Sequence, residues 1–406
     1  MLSVKSTEIV RSTLPVIGAA IGEITPVFYQ RMFAAHPELE RDLFNRGNQA
    51  QGDQQRALAG AIASYATLLV TEAAPSPQAI LSRIANKHAS LGITGDQYAI
   101  VHKYLFEAIV EILGDAVTED VASAWNEVYW LMADSMLAIE NDLYAASGVE
   151  PGKVWQQVTV RRRVQESPDT VAFILGSQDG SALGDFHPGQ YISVSVSLPD
   201  GAQQIRQYSL STAPMHDAWR ITVKSIPDSV GKDGNPAPAG EVSNFLHENV
   251  FDGDLLRVSR PFGDLMLDDT TAPLLLISAG IGCTPMVGML DHLGATNARR
   301  PISVLHADRS PARHAHRREL QELVDQLPSA TLHQWYEDLG TRDSSDTTTL
   351  GRINLDTIDV PVDAQVYLCG PMPFMETVRR SLIQHEIPMD HIHYEVFGPD
   401  KWLAAS

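Results

Sequence analysis

Arg206-Gln207-Tyr208-Ser209, near the middle of the chain, decides how the rest is read. An arginine, an aromatic and a hydroxyl at strand spacing can serve three parts of one ligand. The guanidinium can clasp a pyrophosphate through two parallel charge-assisted bonds. The Tyr208 ring can lie against an isoalloxazine face, and the Ser209 hydroxyl can reach a ring nitrogen. The tetrad is short, and its meaning comes from its company. Upstream lies an all-helical segment, and downstream a strand, glycine turn and helix of the kind that seats a dinucleotide.

At 406 residues the chain is too long for one core and predicts two or three domains. Charged residues make up 20% and apolar ones 44%, an ordinary globular balance. A formal net charge of −20 argues against nucleic acid or an anionic membrane surface as partner. Two cysteines, Cys283 and Cys369, are too few for a disulfide framework and fit a reducing cytosol. No apolar run approaches bilayer length, and the N-terminal MLSVKSTEIVRSTLP lacks a signal peptide's apolar block. A cytoplasmic protein without stable membrane association, a monomer or weak dimer, is the expectation.

From Ser6 to about Ala146 the apolar period is helical. Ile9, Val10, Leu14, Ile17 and Ile21 share a face, and Thr25-Pro26 predicts the opening of a second helix, VFYQRMFAA. His36-Pro37 starts a short helix ending near Phe44. QQRALAGAIASYATLLV follows with Leu58, Ile62, Tyr65, Leu68 and Leu69 on one face, then IANKHASLG, stopped by Gly92. Two longer helices are predicted at about 96–113 and 119–145. Residues 147–152, Ser-Gly-Val-Glu-Pro-Gly, read as a linker.

After the linker the period becomes two. WQQVTVRRRVQ, TVAFILGS, GQYISVSVSL, IRQYSLS, WRITVKSI and DLLRVSRP predict six strands of a small antiparallel barrel. From Pro273 the runs LLLIS, ISVLHA, TLHQWY and QVYLCG alternate with helical stretches and predict a parallel α/β sheet. TRDSSDTTT (341–349) reads as a polar loop. The expected organisation is an all-α domain over 1–146, the linker, an antiparallel β-barrel over 153–265 and a parallel-sheet domain over 266–406.

LLLIS-Ala279-Gly280-Ile281-Gly282-Cys283-Thr284-Pro285 is a strand, a tight turn and a helix start. Its glycines let backbone approach a phosphate, Thr284 is read as the N-cap, and Pro285 suits the first helical turn. Cys369-Gly370-Pro371 repeats the logic at another strand end and is expected to face the nicotinamide, with Cys369 as a small packing residue beside the hydride path. His314-x-His316 and His391-x-His393 lack a carboxylate or cysteine at matching spacing and are not read as a metal site.

Phe28-Tyr29-Gln30-Arg31-Met32-Phe33, His36 to Leu39, Leu43-Phe44-Asn45, Gly52-Asp53-Gln54, Lys87-His88 and Asp96-Gln97-Tyr98 resemble the globin domain of flavohaemoglobins, and the resemblance runs the whole chain. It implies haem b with His88 as the proximal iron ligand, Phe44 wedged against the ring, and Leu58 as the apolar distal wall. Tyr29 and Gln54 become the distal polar pair. Tyr98 and Glu140 hold the His88 ring, and a carboxylate on its non-ligating nitrogen pushes electron density to iron.

Gln190-Tyr191 after Gly189, together with the 206–209 tetrad, resemble FAD-binding strands of the ferredoxin-reductase superfamily. Gly240, Val242 and Ser243 would set a helix N-terminus against the pyrophosphate. The ending Glu395-Val396-Phe397-Gly398-Pro399 resembles the family's close, in which an aromatic covers the flavin. Lys87 and Glu395 would tune the two redox centres.

The activity implied is nitric oxide dioxygenation: NADH or NADPH reduces FAD, FAD reduces haem iron, and O2 and NO, the small-molecule partners, leave as nitrate. Reduction of peroxide or lipid hydroperoxide, and oxygen binding or sensing by a globin with its own reductase, remain alternatives. His306-Ala307-Asp308-Arg309 offers both a carboxylate for a ribose 2′-hydroxyl and an arginine for a 2′-phosphate, leaving the choice of nucleotide open.

Overall fold

Helical spacing up to Ala146 is realised as α1 Val4–Ala35, α2 Pro37–Asp42, α3 Arg46–Ala50, α4 Asp53–Val70, α5 Pro77–Leu91, α6 Gly95–Leu113 and α7 Glu119–Ala146. The computed structural model describes residues 2–50, 52–71, 77–230, 236–345 and 347–398. Caps explain the boundaries. Ser3 accepts from the Ser6 amide at the start of α1, Thr118 does the same for Val121 at α7, and Thr94 with Gln97 forms a capping box on α6. Gly92 ends α5 in the left-handed region at φ 77°.

Thr25-Pro26 does not open a second helix, because α1 runs through both Pro15 and Pro26. An interior proline costs a helix about 3 kcal/mol. Ile24, Phe28, Tyr29 and Met32 flank it, all buried, on a helix packed against α4, α6 and α7. Burying each is worth about 1.5–3 kcal/mol, so packing outweighs the lost bond.

The alternating segment forms β1 Trp155–Ser167, β2 Thr170–Gly176, β3 Tyr191–Ser197, β4 Gln203–Ser209 and β5 Trp219–Lys224. A short ribbon, β6 Ser229–Val230 with β7 Pro236–Ala237, and helix α8 Glu241–Asn249 precede β8 Leu255–Ser259. The sheet order is β4-β3-β8-β1-β2-β5. A bridge from Leu210 to Ile221 joins the end of β4 to β5, the outer strands of that order, so the sheet closes on itself. Its interior is filled by inward residues such as Val158, Phe173, Leu175, Ile192 and Ile221, all without exposure.

Beyond Pro273 come β9 Leu274–Ala279, α9 Cys283–Ala295, β10 Ile302–Asp308, α10 Arg317–Gln326, β11 Ala330–Tyr336, β12 Thr348–Leu350, β13 Gln365–Cys369, α11 Met372–Gln384 and β14 Ile392–Glu395. Their order is β12-β11-β10-β9-β13-β14, parallel throughout. The stretch 341–349 is therefore not all loop: β12 begins within it and pairs Thr348 with Gln334 of β11. From β9 the chain builds outward in one direction through β12, then returns to lay β13 on the other side. That reversal places a crevice outside the carboxyl ends of β9 and β13.

The chain divides into two compact units. One gathers the helical segment and Ser195–Arg206; the other holds the remainder of the barrel and the parallel sheet. Among the described residues no helix is long and apolar enough to cross a membrane.

Within the second unit, Gly189 takes φ +104°, and a Cβ there would stand 1.9 Å from the Leu265 carbonyl oxygen. Gly189→Ala is expected to lose at least about 1–3 kcal/mol of stability in urea unfolding. Gly95→Ala, with nothing within 4 Å of its added Cβ, is expected to be neutral or slightly stabilising.

Candidate functional site

α5, α6 and α7 bring His88, Tyr98 and Glu140 together. His88 Nδ1 lies 3.0 Å from both Glu140 Oε1 and the Tyr98 hydroxyl, and Tyr98 donates to the same Oε1 at 2.5 Å. The phenol spends its only proton on the carboxylate, so both neighbours of Nδ1 act toward it as acceptors. Nδ1 therefore carries the ring proton, and Nε2 presents its lone pair. Glu140 is 1% exposed whereas the His88 side chain keeps 32%, which puts the accessible edge away from the carboxylate. That is the donor set a haem iron needs on one side.

Two further tyrosines, not singled out in the sequence, hold this corner. Tyr129 donates to the Tyr98 carbonyl and Tyr144 to the Ile93 carbonyl, each at 2.6 Å. Burial, and for Tyr98 and Tyr144 also the Glu140 charge, pushes all three hydroxyls well above the usual phenol range.

On α1, Tyr29 is 4% exposed, and burial raises its hydroxyl far above the ordinary value, opposed by hydrogen bonding from Gln54 and Gln49. Phe44 meets the Tyr29 ring edge-on at 5.9 Å and Phe33 at 5.3 Å. Leu58 packs on the same core. Gln49 is the residue missed by sequence reasoning. Its Oε1 accepts from Gln55 at 3.2 Å, and its amide group also faces the Tyr29 hydroxyl. No motif marks it, because its place depends on α3 packing against α4, which brings Gln49 to Tyr29.

In the barrel, β4 carries Arg206, Gln207, Tyr208 and Ser209. Ser209 is 3% exposed and its Oγ has no partner among the described residues. A buried hydroxyl left so is costly unless a ligand atom completes it, which fits a flavin ring nitrogen. Gln207 donates to Ser193 Oγ at 3.1 Å. Gln190 accepts the His187 amide at 2.8 Å, and its carbonyl receives the Leu210 amide at 2.9 Å, so it fixes the turn beneath Ser209. Tyr191 exchanges both backbone bonds with Phe262. The first turn of α8, with Gly240, Val242 and Ser243, is tied to the end of β5 by the Gly240 amide and the Asn244 amide side chain, both donating to Ile226 O at 2.9 Å.

The stretch Ser195–Arg206 belongs with the helices. Gln204, without exposure, donates from Nε2 to the carbonyls of Arg41 (3.0 Å) and Phe44 (3.2 Å), and its Oε1 accepts from Arg206 Nη1 at 3.3 Å. Asp42 Oδ1 accepts the Gln203 amide at 3.0 Å, and Arg46 meets Asp200 at 2.7 Å. Gln204 too has no motif to betray it.

The two glycine turns meet. A Cβ on Gly282 would stand 2.5 Å from the Cys369 carbonyl oxygen and 2.8 Å from the Gly370 amide. Both turns thus lie side by side at the crevice outside β9 and β13, with room only for backbone, as close nucleotide approach requires. Gly280 to Gly282, with Ile281 between, form a 3-10 turn, and α9 then begins at Cys283 with Gly282 as its cap. Thr284 is not the N-cap. It is the second helical residue, and its Oγ1 donates back to the Ile281 carbonyl at 3.1 Å, while Pro285 follows within the first turn. The 3-10 turn shifts the helix start by two residues. Pro371 caps α11.

Burial pushes the Cys283 thiol up to about 12 and the Cys369 thiol well above its ordinary value, so both are small packing residues rather than thiolates. Glu395, 6% exposed, ends β14 in register with Cys369 and accepts the Val396 amide at 3.1 Å. Lys87 donates to the Gly398 carbonyl at 3.3 Å. Phe397 is 47% exposed, and Pro399 lies outside the described residues.

Comparison with known proteins follows the same division. The Globin family matches residues 27–136, the oxidoreductase FAD-binding domain residues 157–266, and the oxidoreductase NAD-binding domain residues 276–380. A flavohemoprotein of Rhizobium meliloti is 40% identical, with 98% of this chain and 99% of that protein covered. One of Bordetella bronchiseptica is 41% identical over the same shares. The crystal structure of flavohemoglobin from Malassezia yamatoensis, with bound FAD and heme, superposes with a TM-score of 0.87 at 37% identity, covering 98% of this chain and 100% of that one.

The buried phenols predict an alkaline limit. Tyr29, Tyr98, Tyr129 and Tyr144 have folded-state values above the unfolded one, so unfolded chain binds fewer protons once pH exceeds about 10. Their contribution to stability is complete below that pH and falls as pH rises beyond it. Tyrosinate absorbance near 295 nm should therefore appear in two stages, the second coincident with loss of helical circular dichroism.

Proposed function

The chain belongs to the flavohaemoprotein family, and from that membership and the geometry of its site we propose that it is an NAD(P)H-dependent nitric oxide dioxygenase. The observation that carries the reading is the pairing of a carboxylate-backed His88 with a buried, hydrogen-bonded Tyr29 in one helical unit. A neighbour in structure, at 35% identity and a TM-score of 0.54, is the FAD/NAD-binding part of a nitric oxide dioxygenase from Vibrio cholerae; it covers 61% of this chain and 100% of that one.

The bound groups supply hydride from NAD(P)H, its division into single electrons at FAD, and the joining of dioxygen with nitric oxide to nitrate at haem b. The protein's part is binding, orientation and electrostatics. Glu140 Oε1 holds the proton on His88 Nδ1, fixing the tautomer whose Nε2 would ligate a haem iron and raising that nitrogen's basicity. Tyr29 keeps its proton under any physiological pH, so it acts as a hydrogen-bond donor toward negative charge developing on a distal ligand. Gln54 orients that hydroxyl, while Phe44 and Leu58 keep water away and the local dielectric low.

Arg206, Tyr208 and Ser209 would hold and orient the flavin, with Ser209 Oγ available to donate to its ring. The Gly280–Gly282 turn admits the nucleotide phosphates, and the Cys369-Gly370-Pro371 turn beside it receives the nicotinamide. Lys87 and Glu395 bias the two redox centres electrostatically. The carboxylate behind His88 would equally suit peroxide or lipid hydroperoxide reduction, and that is the second reading.

NADH consumption by the holoenzyme under air is expected to rise sharply when nitric oxide is added, with stoichiometric nitrate. Stimulation by a lipid hydroperoxide and none by nitric oxide would select the second reading, and no stimulation by either would leave an oxygen-binding globin. His88→Ala should lose haem or its normal Soret band while keeping NADH-dependent reduction of an artificial acceptor. Removing one donor to a developing charge costs about 2–4 kcal/mol. Tyr29→Phe should therefore release dioxygen about one to several decades faster in stopped flow.

A further inference from the structure

His316 is 2% exposed, its side chain wholly buried, and it adopts the left-handed backbone at φ 59° as the residue before α10. A β-carbon residue rarely takes that conformation, and here it aims an imidazole between the barrel and the parallel sheet, both within the second unit. Nε2 lies 2.8 Å from Thr222 Oγ1 on β5, and Nδ1 lies 2.8 Å from Glu319 Oε2 and 3.5 Å from Glu166 Oε2. Two carboxylates beside Nδ1 require a proton there, which leaves Nε2 able to accept from the Thr222 hydroxyl.

The network runs toward both cofactor turns. Glu319 Oε1 takes Arg220 Nη2 at 2.7 Å, and Arg220 Nε donates to Ser211 Oγ at 3.0 Å, two residues beyond Ser209. Burial alone would raise the Glu319 carboxyl, but His316 and Arg220 hold it down to about 2, so the node stays charged. In the other direction, Ala315 O lies 3.8 Å from Cys283 Sγ, the residue that follows the Gly280–Gly282 turn. Around these bonds the two parts touch through backbone: a Cβ on Gly288 of α9 would stand 2.6 Å from the Leu210 carbonyl oxygen.

We propose that His316 is a positioning residue for hydride delivery, fixing the nucleotide turn against barrel strand β5, next to the flavin strand, directly through Thr222 and through Glu319 to Arg220. This role rests on the reading of the second unit as the path from nicotinamide to flavin. None of the family's motifs includes His316, Thr222 or Glu319. Hydride transfer is steep in donor–acceptor distance, and a misplacement of about 1 Å can cost about a hundredfold. A polar clamp between two packed bodies is a direct way to hold that distance.

The test uses full-length holoenzyme carrying Thr222→Val, which deletes the bond at nearly constant shape, and His316→Gln, whose carboxamide can still bridge both partners. Anaerobic stopped flow with NADH, and with NADH deuterated at the transferred position, gives the flavin reduction rate and its isotope effect. Flavin content, NADH affinity and thermal midpoint are measured alongside. Thr222→Val is expected to slow flavin reduction about tenfold to a hundredfold at saturating NADH with an enlarged isotope effect. Flavin content, NADH affinity and the later flavin-to-haem step should hold, and His316→Gln should recover most of the rate. Unchanged rate and isotope effect in both variants overturns the proposal. So does slowing that tracks loss of flavin and thermal stability with the isotope effect untouched. Unaltered protein whose flavin NADH does not reduce would overturn the dioxygenase reading and this role with it, whereas normal reduction there with unaffected variants overturns this role alone.

Discussion

One carboxylate oxygen organises the helical unit. Glu140 Oε1 accepts from Tyr98 and from His88 while the residue is 1% exposed. A charge so placed is tolerated only if its partners are fixed, since a lone buried carboxylate would cost several kcal/mol. The surroundings follow from that need. Tyr98 can meet Glu140 only if α6 starts where it does, which the Thr94–Gln97 capping box ensures. His88 can meet both only if α5 ends at Gly92, and Tyr129 and Tyr144 fasten the corner between the two helices.

The same logic separates structural polarity from functional polarity. Most buried polar side chains here are paired, including Gln190, Thr222 and His316. Ser209 Oγ and the second oxygen of Glu140 are buried with no partner among the described residues. Each such atom costs about 1–3 kcal/mol in an isolated protein. They sit on β4 and behind His88, at two of the places proposed to hold a cofactor.

Much of this was legible in the chain because it rests on local rules. The two long helices expected at about 96–113 and 119–145 are 95–113 and 119–146, and each of the six alternating runs holds a barrel strand, although β1 runs on to Ser167 and β4 starts at Gln203, two residues before its run. The paired glycine turns were readable because only backbone fits there. What escaped depends on contacts distant in sequence. Pro26 was misread because the packing that carries α1 through it comes from α4, α6 and α7. β12 and β14 are short edge strands whose identity comes from the neighbour they pair with. Thr284 looked like a cap because a 3-10 turn has no signature distinct from the helix it precedes. Gln49 and Gln204 belong to no motif, and His316 shows in the sequence only as half of a His-x-His pair, so each is placed by geometry alone.

Gln204 carries a consequence for how such a chain can be divided. Its single carboxamide bonds the Phe44 carbonyl at one end and Arg206 at the other, and the surrounding stretch groups with the helices although its two ends lie on barrel strands β3 and β4. The linker at 147–152 is therefore a boundary in sequence but not in contacts. A globin cut there would keep its helices yet leave the Arg41 and Phe44 carbonyls, Asp42 and Arg46 without the partners that now satisfy them. The haem-bearing part is not a portable cassette. Exchange of modules between chains of this kind, in the laboratory or by recombination, would have to carry the 195–206 hairpin with the helices, or else rebuild its seat.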